Sequence, residues 1–493
     1  MRHPWLPRAL FTGLAVPAAM AAVTTGAFLA GAGPAAAATG GAAGTGCTDT
    51  WTGGGPKVLW NIAQNWSTGK VPGHSSDVCL SAFVFVTANG AVSIHSLHLG
   101  GESTVVFAAT PGHPSHVTIA TTLDNQGNVE LDNSSLTAPQ VNNTGGIEDA
   151  GTSVLTSAAL HNGGTVDAVG GSLTLPDSLA QLSNGTLTGG SWLALNNGVL
   201  ALPGDIATLA SGLVSIGTGS AIHDQAGNNA LAGLTSAGPQ ATLAVSGSLA
   251  LSGSLVSAGT LEIGGYDGGG TLTVAGTLTE SQNAMAMAAQ STVTATTVHI
   301  DRGSLSASGT IDGNLVNDGF VEPASRLAVT GSYTQGTGGT LDAGFVTELQ
   351  VAGKATLAGA LTAGATPPPA PGTRGTAITF GSRSGGFTTH NLGFNLVALA
   401  HRIDVTAQTQ VAASPATVAR GATATMSGGD FGYRDTVTLF LDQVGGRILG
   451  TAQAGFQGEF STGFTVPWIP AGTHTIIAVG SSGRQAQTTI TVT

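Results

Sequence analysis

Charge is what this 493-residue chain has least of. Lys, Arg, Asp and Glu together make up 8% of it, against about 25% in ordinary soluble domains. Too few Glu, Lys and Arg remain to line the solvent face of long amphipathic helices, which excludes a helical fold. The charges that are present lean acidic, 14 basic against 26 acidic for a net of −12. No basic run and no basic–aromatic interleaving occurs, which excludes nucleic acid as a partner. Cysteine is nearly absent, with only Cys47 and Cys79. Phosphate loops, calcium-binding nonapeptides, zinc-ligand spacings and nucleophile elbows are all missing. No catalytic residue, cofactor site or metal site is therefore assigned.

Glycine is plentiful instead, 76 of 493 residues, roughly twice the usual share of about 7%. Hydrophobic residues make up 41%, rich in Val, Leu and Ile, and this favours packed β structure over disorder. The glycines carry a beat. Asn125-Gln126-Gly127, Asn143-Thr144-Gly145, Asn162-Gly163-Gly164 and Asn184-Gly185-Thr186 each precede a short apolar stretch, at spacings of 18, 19 and 22 residues. A fixed period in this range marks a solenoid, and the length suits one coil of a right-handed parallel β-helix. Segments such as Gly259-Thr260-Leu261-Glu262-Ile263 alternate apolar and small polar residues, as half-buried strands do. Asparagines recurring at one corner are placed to stack into a hydrogen-bonded ladder. At about 20 residues per coil, residues 80–365 give about 14 coils and a length on the order of 70 Å.

The organisation predicted along the chain has four parts. Residues 1–38 read as a signal peptide: Arg2 and Arg8 precede an apolar stretch, and Ala36-Ala37-Ala38 supplies the cleavage pattern. Ala32 stands where a lipoprotein would need cysteine. No later segment is apolar enough to span a membrane, so a secreted or loosely wall-associated protein is expected. Residues 39–80 form a cap in which Cys47 and Cys79 pair in the oxidising exterior. Trp51, Trp60 and Trp66 lie between these cysteines. They read either as the plug of an open solenoid end or as a sugar-stacking platform. Residues 81–408 form the β-helix. A proline-rich stretch at Pro367-Pro368-Pro369 and Pro371 reads as an excursion before its last coils. From residue 411 to 493 several strands with close turns suggest a β-sandwich.

Certain motifs resemble a known family. The pattern Trp51-x-Gly53 … Trp60 … Asn65-Trp66-Ser67 … Pro72 … Asp77-Val78, and the later run Leu327-Ala328-Val329-Thr330-Gly331-Ser332-Tyr333-Thr334-Gln335 … Gly339-Thr340-Leu341-Asp342 … Leu349-Gln350-Val351-Ala352-Gly353, resemble autotransporter passenger β-helices. The resemblance covers roughly residues 50–408 and implies a right-handed parallel β-helix. It carries over no catalytic residue, and no C-terminal membrane barrel is seen. The run from Ser414-Pro415 to Gly472-Thr473-His474-Thr475-Ile476 looks like a bacterial Ig-like surface module.

Two groups of residues could carry chemistry. His95, His98, His113 and His116 could bind a transition metal if adjacent coils aligned them, or they are solvated turn histidines. Asp301 and Glu322 lie 21 residues apart, about one coil, with Asp312 and Asp318 nearby. Paired carboxylates at that separation suit glycoside hydrolysis, although the polygalacturonase-type signatures are missing. The resulting expectation is a secreted, non-catalytic solenoid acting as an adhesin or structural surface protein toward an extracellular polymer or cell surface. The alternative is a polysaccharide-binding or polysaccharide-degrading β-helix protein.

Overall fold

The computed structural model describes residues 46–81, 83–110, 114–265 and 268–493. The predicted signal peptide therefore lies outside the described residues. The described chain is all-β, with one short 3-10 turn at Ala63–Asn65. No helix among the described residues is long and apolar enough to cross a membrane.

Residues 77–362 wind as a parallel β-solenoid whose early coils are triangular. The first face stacks Asp77–Leu80, Ser96–Leu99, Thr122–Asn125, Gln140–Asn143 and Ala159–Asn162. The second stacks Phe85–Asn89, Thr104–Ala108, Asn128–Asp132, Gly146–Asp149 and Thr165–Val169. The third stacks Val92–Ile94, Ser115–Ile119, Ser134–Thr137, Thr152–Thr156 and Ser172–Thr174. From Thr186–Leu195 onward many strands run through a corner as one bulged element.

One column shows why these residues choose this fold. On the second face Val86, Val105, Val129, Ile147, Val166, Trp192, Val214, Leu243, Leu261, Met285, Leu305, Val321, Leu341 and Leu361 lie directly over one another, each in register with the next. All 14 are buried, one for each coil. A single strand of four or five residues buries too little apolar surface to hold itself together, so each coil depends on its neighbours. Stacking also accounts for the scarcity of charge. Equivalent outward positions on successive coils lie about 4.8 Å apart, where like charges repel by roughly 1–3 kcal/mol.

The asparagine beat marks a corner. Asn125, Asn143 and Asn162 end successive strands of the first face and are buried. Asn125 Nδ2 donates to Asn143 Oδ1 at 2.7 Å, and Asn143 Nδ2 donates to Asn162 Oδ1 at 2.8 Å. Each also reaches a backbone carbonyl on the second face of the following coil, Asn125 to Gly146 at 2.7 Å and Asn143 to Thr165 at 2.9 Å. The glycine two positions later is required sterically. A Cβ on Gly145 would overlap the Gly127 carbonyl, and one on Gly164 the Gly145 carbonyl.

Asn184 does not belong to this ladder. It is exposed, with φ of 49°, and Gly185 follows at 72°. Leu182–Ser183 pairs antiparallel with Thr186–Leu187 across them. Asn-Gly here makes the two-residue turn of a small hairpin, in which positive φ at both positions matches strand twist.

The N-terminal end is closed by the tryptophan block. Asp49–Thr50 pairs with Val78–Cys79, and Cys47 is bonded to Cys79 with Cα atoms 5.9 Å apart. Trp60 and Trp66 are buried in the solenoid core, with ring centroids 4.7 Å apart, and Trp60 lies 6.2 Å from Phe107. Buried Asn65 holds the block in shape. Its Oδ1 accepts from Gly55 N–H at 2.7 Å, and its Nδ2 donates to the carbonyls of Lys57 and Leu59 at 2.7 and 2.9 Å.

At the other end, the segment around Pro367–Pro371 carries no strand. Arg374–Gly385 then lies parallel on Glu348–Leu357 and antiparallel to Arg402–Ala407. Beyond it a three-stranded antiparallel sheet (Gln410–Ser414, Thr423–Gly429, Phe460–Thr465) and a five-stranded mixed sheet (Thr417–Val418, Thr436–Leu441, Arg447–Gln453, Gly472–Gly480, Gln485–Val492) enclose a separate core of Met426, Phe431, Leu439, Val466 and Ile476. Arg484 pairs with buried Asp430 at 2.8 Å and donates to the Pro368 carbonyl at 3.3 Å.

Candidate functional site

The structure separates the residues singled out in the sequence. His95 Nδ1 lies 2.7 Å from Asp77, and His98 Nδ1 lies 3.0 Å from Asp124. His116 Nδ1 meets the Ser135 hydroxyl at 2.7 Å. His113 lies outside the described residues. Each of the three described histidines therefore has its own partner on the coil surface. Among the described residues, no group of three or more His, Cys, Asp or Glu is arranged to hold a metal ion.

Asp301 and Glu322 are not one coil apart on a shared face. Asp301 follows the first-face corner and meets Arg302 at 3.3 Å. Glu322 stands on the second face, in register with Ser306. Asp318 is held by His299 at 2.9 Å, and Asp312 accepts from Thr330 at 2.8 Å. A spacing of 21 residues counts the coil length correctly but ignores where in the coil each residue sits.

A different acidic column is present. Glu130, Glu148 and Asp167 point outward from the second face in direct register on three successive coils. Residues 71–301 contain no Lys or Arg, so no fixed cation of that stretch offsets them. Burial, followed by repulsion from Glu148 and Asp132, raises the Glu130 carboxyl above its ordinary range, and burial raises Glu148. Asp167 is pushed to about 7 by burial and then by Glu148. Asp149, buried at the neighbouring corner, is raised to about 6, again chiefly by burial. At neutral pH Asp167, with its carboxyl near 7, is poised between its acid and base forms, a state suited to proton donation and acceptance.

A second buried acid stands in the same corner column as the asparagines. Glu280 is in register with Ser257 below and Ile300 above, and Ile300 with Asn317. It is 0% exposed and neither carboxylate oxygen has a hydrogen-bond partner. Burial raises it to about 7, outweighing the Ser257 hydroxyl and the amides of Gln282 and Asn283 nearby. Further along, the corner is polar and neutral: Asn317 donates to the buried Tyr333 hydroxyl at 3.1 Å, which donates to Gln335 at 2.6 Å.

The C-terminal sheets carry a cleft of about 630 Å³. It opens between Arg447–Gln453 and Phe460–Thr465, the edge strands of the two sheets. Leu449, Phe464 and Arg447 line it together with Trp468, which is 82% exposed. Tyr433 and Phe456 are also exposed on these sheets, with ring centroids 5.6 Å apart and the Arg434 guanidinium 5.3 Å from each ring.

The architecture defines a class: a parallel β-solenoid of about 14 coils followed by small antiparallel and mixed sheets. No family model matches the chain, and a comparison with curated proteins gives no match.

Proposed function

We propose that the chain is an exported, non-catalytic solenoid that serves as an adhesin or structural surface protein and engages an extracellular polymer or cell surface through its C-terminal sheets. The observation that carries this reading is a contrast. Corner polar groups of the solenoid are largely consumed by internal hydrogen bonds, and Trp60 and Trp66 near its N-terminal end are buried as a plug. The C-terminal sheets instead leave Trp468, Tyr433 and Phe456 in solvent. Exposed aromatics of this kind are common at binding surfaces. The tandem of solenoid and two-sheet module fits a right-handed, autotransporter-passenger-like β-helix bearing an Ig-like unit. The Cys47–Cys79 bond fits an oxidising exterior.

The test is an array of polysaccharides and cell-wall polymers exposed to the purified chain. Retention without release of reducing ends supports the reading, and retention by none of them contradicts it. A second reading, polysaccharide hydrolysis, is favoured by the Glu130–Glu148–Asp167 column. Turnover that disappears in Glu148→Gln would establish it in place of the first.

A further inference from the structure

The cleft beside Trp468 has features that fold stability alone does not call for. Pro467 and Pro470 bracket Trp468-Ile469 and fix φ on both sides of the pair. The base of the loop is pinned: Val466 N–H donates to the Ala422 carbonyl at 2.9 Å, and Gly421 N–H donates to the Val466 carbonyl at 2.8 Å. Ile469 packs onto the core of the sheets. The backbone that carries Trp468 is thus held on both sides, and its indole is left 82% exposed. Less backbone ordering remains to be lost when something stacks on it.

The charge on this surface is specific. Arg447 is the one charged residue among those lining the cleft. Among the described residues it forms no ion pair, whereas Arg484 is taken by Asp430 at 2.8 Å and Arg434 lies over Tyr433 and Phe456. Residues 411–493 carry four basic and four acidic groups. The whole net charge of −12 therefore belongs to the preceding part of the chain. The net negative charge that would repel an anion thus lies in the preceding part of the chain, and the one charge lining the cleft is positive.

We infer that this cleft is a binding site for an acidic polysaccharide, with the apolar face of a pyranose ring stacked on Trp468 and a uronate carboxylate accepting hydrogen bonds from Arg447. An apolar floor with one placed cation is the pattern by which pockets bind amphipathic ligands, and a guanidinium matches a carboxylate in two parallel hydrogen bonds. The inference rests on the polymer-binding reading above and names its site and ligand class.

Affinity electrophoresis of the full chain through gels containing polygalacturonate, alginate or neutral dextran tests it. The chain is retarded by the two polyuronates and not by dextran. Trp468→Ala lowers polyuronate affinity at least tenfold, and Trp468→Phe by less. Arg447→Gln also lowers it at least tenfold, and Arg447→Lys recovers only part. Unchanged melting temperatures show that these exposed positions leave the fold intact. If the wild type binds polyuronate but Trp468→Ala and Arg447→Gln bind equally well, this site is wrong while the adhesive reading stands. Equal retardation by dextran removes the acidic ligand class. Retardation by none of the three overturns the inference, and the broader polymer array then decides the adhesive reading. Capture of extended peptides at the two sheet edges, lost in Trp468→Ala, would replace the inference with strand addition.

Discussion

Asn125 Nδ2 donates to Asn143 Oδ1 at 2.7 Å, one full coil away, in a corner where both side chains are buried. Two residues that are 18 apart in sequence thus stand side by side, and the bond exists only if the coils stack in register. Replacing Asn143 by Ala leaves the Asn125 and Asn162 amides each short of a partner. The expected cost is about 2–4 kcal/mol, since a buried polar group left unsatisfied costs about 1–3 kcal/mol. Amide hydrogen exchange across residues 120–170 reads this loss locally, and protection equal to the wild type would refute it.

The glycine ladder gives a steric prediction. Gly145→Ala places a methyl against the Gly127 carbonyl, and overpacking against backbone costs about 1–3 kcal/mol. Gly73→Ala, where a Cβ meets nothing, is expected to change stability by less than about 0.5 kcal/mol. Denaturant midpoints of the two variants should differ accordingly. Equal midpoints would show that the corner has room.

Glu280 gives the solenoid a pH dependence of defined sign. Its carboxyl keeps a proton to about 7 in the folded chain, against an ordinary value of 4.5. Folding therefore takes up a proton between those values. The stability from this group is complete below about pH 4.5 and is lost as pH rises toward 7, with each unit worth about 1.4 kcal/mol. Glu280→Gln, neutral throughout, should remove most of that slope and raise stability at pH 8 by about 3 kcal/mol. Denaturant unfolding at pH 5 and pH 8 checks it. A variant as pH-sensitive as the wild type would contradict the assignment.

In the Glu130–Glu148–Asp167 column, removing the middle charge should relax its neighbour. Glu148→Gln is expected to lower the Asp167 pKa from about 7, leaving the burial contribution in place. Carboxyl NMR titration of Asp167 reads it directly. An unmoved titration would mean that Glu148 contributes nothing to it.

Cys47 and Cys79 close a loop with a sequence separation of 32, which the chain-entropy model values at on the order of 3–4 kcal/mol. A Cys47→Ser, Cys79→Ser double variant should loosen the N-terminal plug first. The buried indoles of Trp60 and Trp66 would then report it as a red shift in fluorescence at lower denaturant than the wild type requires. Coincident transitions in the two proteins would contradict a capping role for the disulfide.

Much of this architecture could be read from the chain because a solenoid repeats its local instructions. Asn125, Asn143 and Asn162 state the period, and the glycines two positions on state the corner. Asn184-Gly185 misleads because the same dipeptide makes a hairpin turn just as well, and the sequence carries no mark of phase. Phase is also what the Asp301–Glu322 pairing lacked. The signal for the actual acidic column was present: Glu130, Glu148 and Asp167 each follow a corner asparagine by five residues. Glu280 was not legible, because it occupies the corner position that asparagine holds in the earlier coils and only three-dimensional register places it there. The cleft beside Trp468 was equally hidden. It depends on two strand edges, far apart in sequence, ending up side by side.

The central claim is that about 14 coils stack in register as one continuous ladder. Ser215, Ser306 and Thr362 occupy outward positions on the second face, four and seven coils apart when counted from Ser215. Spin-label distances measured by pulsed electron resonance between Ser215→Cys and Ser306→Cys, and between Ser215→Cys and Thr362→Cys, should differ by about 14 Å at roughly 4.8 Å per coil. Distances that are broad or fail to grow with coil number would contradict the ladder.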